Sequence, residues 1–126
     1  YEPGHVGYLG YAALGAGLRF IEQVGVDRLL AHSVALNKRL IDALDPSRYE
    51  CITPDPDVSP IVTFLVRDTD GLGERLAAAS IAVGNGPAPR ERGPSSPVRH
   101  LPRLRISPAV YNTPDDVDAL AAALNG

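Results

Sequence analysis

Leu104-Arg105-Ile106-Ser107, with Tyr111-Asn112-Thr113-Pro114-Asp115-Asp116 just behind it, is the stretch from which both the fold and a candidate site are read. Arg105 alternates with Leu104 and Ile106, so a strand over 103–107 puts the guanidinium on the face opposite its apolar neighbours. An arginine held on strand backbone keeps a fixed aim, which suits it to grip a carboxylate. Pro102 can open such a strand and Pro108 can end it, because proline has no N–H to give to an interior ladder position. Thr113-Pro114 reads as an N-cap followed by a first-turn proline. The local order is strand, short loop, capped helix.

Ahead of this strand, residues 84–101 hold Gly84, Gly86, Pro87, Pro89, Gly93, Pro94 and Pro97. A loop of that length inside a compact domain is functional or disordered. Five of the twelve basic residues, Arg90, Arg92, Arg99, Arg103 and Arg105, fall within 84–105 beside one acid, Glu91, in a chain whose net charge is −3. Composition leaves two readings open, an anion-binding surface and a solvated loop. Nucleic acid is the weakest anion candidate, because the window has no aromatic residue to stack on a base.

Further out, residues 6–24 are apolar enough for a helix. Its glycines at 7, 10, 15 and 17 weaken propensity by about 1 kcal/mol each, so tertiary contact must hold it. The same glycines allow close approach of a partner helix or subunit. Gly25 reads as a stop and Asp27 as the cap of a second helix, whose Leu29, Leu30, Val34, Leu36, Leu40, Ile41 and Leu44 recur at helical spacing up to Asp45-Pro46. Strands are predicted over 49–53, 61–67 and 81–83, and helices from an Asp70 cap to Ser80 and over 114–124. At 126 residues with 44% hydrophobic content the chain is predicted to form one domain. The expected class is α+β, a two-layer α/β sandwich with a small three- to four-stranded sheet covered on one face by helices.

Most other candidate chemistry falls away. Asp68-Thr69-Asp70-Gly71 has the look of a calcium loop, but Ala77 stands where a bidentate glutamate belongs, so a helix cap is the better reading. His5, His32, His100 and Cys51 lack metal-ligand spacing, and no metal site is expected. Cys51, the single cysteine, reads as a small buried apolar group. Ser95 and Ser96 lack a histidine and carboxylate at a catalytic spacing. Gly84-Asn85-Gly86 is followed by prolines, not by the helix that a phosphate loop requires. No signal peptide or membrane span is recognisable, so a cytoplasmic protein is expected.

Arg105 survives this filter. The run Leu104-Arg105-Ile106-Ser107 with Tyr111-Asn112-Thr113 and Asp115-Asp116-Val117-Asp118, together with the opening Tyr1-Glu2-Pro3-Gly4-His5, resembles the C-terminal part of the class V aminotransferases, a group that includes cysteine desulfurases, selenocysteine lyases and isopenicillin N epimerase-like enzymes. The resemblance covers nearly the whole chain. It implies the C-terminal small domain of a fold type I enzyme that uses pyridoxal 5'-phosphate, acts on an amino acid and works as a homodimer. It also implies that Arg105 binds the α-carboxylate of the substrate. The other reading of Arg105 is a structural arginine paired with an acid of its own domain.

The resemblance further matches Gly4 and His5 to the Gly-Thr segment that contacts the cofactor phosphate of the neighbouring subunit, with His5 in place of the threonine. Desulfurases of the family carry a cysteine in the loop before the last strand, and none occurs here between Gly84 and Arg103. Lyase, epimerase or aminotransferase chemistry is therefore expected ahead of persulfide formation. The Schiff-base lysine belongs to a large domain ahead of the small one. Lys38, the only lysine, matches no such motif. The expectation is a small domain without the lysine domain, inactive alone, and the alternative from another class is a stand-alone α/β module that binds a small anion.

Overall fold

A computed structural model describes residues 7–86 and 102–126. Helix α1 (Tyr8–Val24) and helix α2 (Val26–Ala43) are separated by one residue, Gly25, at φ 92°. That conformation is open to glycine and strained for any residue with a Cβ. Gly25 thus ends one helix and serves as N-cap of the next, with no side-chain cap, and Asp27 lies in the first turn of α2. The expected Asp27 cap is corrected accordingly. Its carboxylate still complements the positive end of the helix.

The sheet contains β1 (Tyr49–Cys51), β2 (Val62–Val66), β3 (Gly84–Gly86) and β4 (Arg103–Ile106), all antiparallel, in the order β1-β2-β4-β3. Helix α3 (Leu72–Ala78) lies between β2 and β3 in the chain, and α4 (Pro114–Asn125) closes it. Val62, Phe64 and Val66 of β2 join Leu104 and Ile106 of β4 in one core with Leu36 and Leu40 of α2, Leu72 and Leu76 of α3, and Val117, Leu120 and Leu124 of α4. The α+β class and the cover of helices over the sheet follow from this cluster.

Two local expectations are corrected. The strand expected over 81–83 lies three residues later, because the register of β4 pairs Arg105 with Gly84 and Arg103 with Gly86. Ile81 and Val83 are partly buried and pack against the core instead of joining the ladder. The cap of α3 is Gly71, in the left-handed region at φ 64°, and not Asp70, whose backbone N–H donates to the Asp68 side chain at 3.0 Å.

Helix α1 packs against α2 yet buries none of its own residues, leaving Tyr8, Leu9, Tyr11, Leu14 and Leu18 more than half exposed. Helix α4 is anchored far more firmly. The last carbonyls of a helix have no partner within it, and here each finds one elsewhere. Arg75 Nε donates to the Ala123 carbonyl at 3.1 Å, the Tyr49 hydroxyl to Leu124 at 2.7 Å, and Arg48 to Asn125 at 2.7 Å. The Asn125 amide in turn donates to the Ala43 carbonyl at 2.8 Å and accepts from the Asp45 N–H at 3.1 Å, which ties α4 to the end of α2. Two of the three donors to the carbonyl end are cations, which also suits its negative partial charge.

Candidate functional site

The alternation expected of β4 is present: Leu104 and Ile106 are buried, Arg103 is half-buried and Arg105 is exposed. Arg105 stands between Thr63 of β2 and Gly84 of β3 in the register, and Arg103 between Leu65 and Gly86. On the edge strand both arginines therefore face residues without a Cβ. Among the described residues Arg105 has no ion-pair partner, whereas Arg39, Arg48 and Arg67 pair with Asp118, Asp68 and Glu50.

The turn behind Arg105 is pinned from α2. The ring N–H of His32 donates to the Asn112 carbonyl at 3.0 Å, and the Ser33 hydroxyl donates to the Pro108 carbonyl at 3.2 Å. Asn112 folds the turn on itself, since its side-chain oxygen accepts from the Ala109 N–H at 2.9 Å. Thr113 then caps α4 with Pro114 in the first turn, as expected from sequence, in a reciprocal box. The Asp116 N–H donates to Thr113 Oγ1 at 3.3 Å, and the Thr113 N–H donates to the Asp116 carboxylate at 2.9 Å. That backbone bond, with help from the Asn112 amide, holds the Asp116 carboxyl below the usual carboxylate range, so it is ionised at neutral pH.

A cleft of about 570 Å³ opens between residues 79–83, the end of β4 and the first turns of α4. Arg105 and Asp116 both line it, and Ile81, Val83, Ala119 and Leu120 supply apolar wall. Its volume falls within the range of small-molecule sites. Ile106, Ser107, Asn112, Asp116 and Val117 of the wall fall within the run singled out from the sequence, which assigned a role to Arg105 alone, and sequence reasoning did not bring residues 79–83, Ala119 and Leu120 to it. Their meeting depends on the offset of β3 and on the packing of α4, and neither leaves a local signature.

Of the remaining candidates among the described residues, neither Lys38 nor Cys51 lines this cleft. Gly4 and His5, and Arg90, Arg92, Ser95, Ser96, Arg99 and His100 of the long loop, lie outside the described residues. Lys38 is exposed on α2 and is not part of the cleft wall. Cys51 is half-buried on β1 and packs against the core. Among the described residues no three of His, Cys, Asp and Glu come together as a metal set, and no helix is long and apolar enough to cross a membrane.

The residues do not by themselves fit pyridoxal phosphate. Its chemistry starts from a lysine amine beside the substrate, and the single lysine of the chain lies on α2 away from the cleft wall. What the site offers is a cation on rigid backbone, an apolar wall and one fixed carboxylate.

The family model for aminotransferase class V matches residues 1–120. No curated protein sequence matches the chain.

Proposed function

The chain belongs to the class V aminotransferase family, and from that premise we propose that it is the C-terminal small domain of an enzyme that uses pyridoxal 5'-phosphate on an amino acid, with Arg105 holding the substrate carboxylate. Members of the family generally use this cofactor. In this reading the Schiff-base lysine comes from a large domain ahead of the segment, and Gly4 and His5 meet the cofactor phosphate across a homodimer. The exposed apolar side of α1 supports a packed neighbour of that kind. A fold type I small domain in the cytoplasm completes the reading.

One observation carries the assignment of Arg105. It is an exposed arginine on a core strand, with no acid of the described residues paired to it. Its planar fork makes two parallel bonds to a carboxylate, a geometry that lysine does not reproduce. The structural alternative, an ion pair within the domain, has no partner to point to among the described acids. A stand-alone anion-binding module would use the same arginine, and membership of the family weighs against it.

The reaction type follows from the donor set. A persulfide needs a thiolate beside the substrate, and Cys51 sits on β1 against the core. C–S lyase, epimerase or aminotransferase chemistry is preferred over persulfide-forming desulfuration. The test is Arg105→Ala in the protein that carries the lysine domain. Charge-assisted bonds contribute about 1.5–3 kcal/mol each when well shielded, so in this exposed setting KM for the amino acid should rise about ten- to a hundredfold. Cofactor absorbance should be retained. An unchanged KM would remove Arg105 from the site.

A further inference from the structure

Strand β4 carries two arginines on the side of the sheet away from the core. Arg103 and Arg105 alternate with the buried Leu104 and Ile106, so both side chains leave the same face, about 7 Å apart along the strand. The register fixes their neighbours on that face: Thr63 and Leu65 of β2 on one flank, Gly84 and Gly86 of β3 on the other. Glycine weakens a strand and marks positions that a ligand or another backbone approaches closely. Here the two glycines fall opposite the two arginines, and a side chain at either would start about 5 Å from an arginine Cβ. Glu50, the acid opposite Leu65 on β1, is tied to Arg67. Arg103 makes no ion pair among the described residues, and its Nε is buried without a hydrogen-bond partner. It stands half-buried beside Leu65, which is 1% exposed, so its stem is held close to the sheet.

We infer that Arg103 is a second carboxylate anchor: the amino acid whose α-carboxylate rests on Arg105 carries an acidic side chain, and Arg103 holds its distal carboxylate. The inference rests on the carboxylate role proposed for Arg105 and adds the class of substrate. One guanidinium fork is filled by one carboxylate through two parallel bonds. Two forks set two residues apart on a strand therefore match two carboxylates better than one. The flank left without Cβ atoms by Gly84 and Gly86 gives room to the methylenes that join them. A carboxylate on the Nε edge of Arg103 also supplies the acceptor which that buried donor lacks. A neutral side chain takes water from Arg103 and returns no charge, and a basic one meets a like charge. Arg103 thus determines specificity, while Arg105 serves every amino acid alike.

The experiment titrates the full chain with glutamate and with glutamine, which have the same shape and differ in the charge of the side chain. NMR follows the Arg103 Nε–H signal and the amides of residues 63–65 and 84–86. Glutamate should bind about five- to tenfold tighter than glutamine, a modest factor because the face is open to solvent. The Arg103 Nε–H signal should move with glutamate and stay in place with glutamine. Arg103→Gln removes the charge and should bring the ratio of the two affinities close to one, while Arg105→Ala should weaken both ligands. If a folded Arg103→Gln keeps the glutamate preference while Arg105→Ala weakens both, the second anchor is wrong and the role of Arg105 stands. If Arg105→Ala changes neither affinity, the role of Arg105 is wrong and the inference falls with it. Equal affinity for glutamate and glutamine, with both weakened in Arg103→Gln, means that the two arginines hold one carboxylate and overturns the inference. Where Arg103→Gln does not fold, the wild-type titration decides: an Arg103 Nε–H signal indifferent to glutamate rejects the anchor.

Discussion

Replacing Tyr49 with phenylalanine removes one hydroxyl and nothing else from the anchor of α4. The ring is 3% exposed and stays in place in the variant, so the hydrophobic contribution is conserved. The bond lost is the 2.7 Å contact from the hydroxyl to the Leu124 carbonyl, and Leu124 is itself fully buried. That carbonyl lies in the last turn of the helix and has no intrahelical donor to fall back on. A buried acceptor left unsatisfied costs about 1–3 kcal/mol. For a domain of this size that amounts to a melting temperature lower by about 4–12 °C. Urea unfolding of wild type and Tyr49→Phe, at unchanged m-value, measures the difference. Tyr8→Phe and Tyr11→Phe are the controls, since those residues are 82% and 66% exposed and should shift stability by less than about 0.5 kcal/mol. A Tyr49→Phe loss no larger than that of the controls would refute the account of how α4 is held.

Three further outcomes are expected. Thr113→Ala removes the acceptor at the start of α4 and should cost about 1 kcal/mol, read by urea denaturation. Asp116, Asp118 and Asp45 all have lowered folded-state pKa values, through the Thr113 N–H, the Arg39 guanidinium and the Ser47 hydroxyl respectively. A depressed carboxyl contributes stability above its unfolded value of about 3.9 and loses it as pH falls through the lower folded value. Melting temperature should therefore stay level in these terms through neutral pH and drop on the acid side, with a shallower drop in Asp116→Asn. Hydrogen exchange of the chain should be fastest among the long helices in α1, which buries no residue, and slow in α2 around Leu36 and Leu40; equal protection of the two would contradict the exposed packing of α1.

How much of this was legible in the sequence depended on whether the signal was local. The cap of α4 was, because Thr113, Pro114 and Asp116 act within one turn and need no other element. The heptad-like leucines of α2 and the alternation of β4 were legible for the same reason. β3 was not. Ile81-Ala82-Val83 has the residues of a strand and Gly84-Asn85-Gly86 does not, yet the partner strand decided the pairing and chose the glycines. Asp27 failed as a cap because α1 and α2 share one joint, Gly25, which leaves no room for a longer turn. Of the site, Arg105 was readable from its alternation, while the cleft wall comes from three elements distant in sequence. Histidine 32 gave no hint of its part, since its partner is a backbone carbonyl eighty positions away.

The carbonyl end of α4 also has a consequence in time. Its three external donors precede their acceptors by 48 to 77 positions, so Arg75, Tyr49 and Arg48 leave the ribosome well before the turn they complete. Synthesis proceeds at about 5–20 residues per second, and for those seconds Arg48, Tyr49 and Arg75 wait without the carbonyls they will bind. The anchor of α4 can close only when residues 123–125 emerge, so the final turn of α4 is the step that completes this part of the domain.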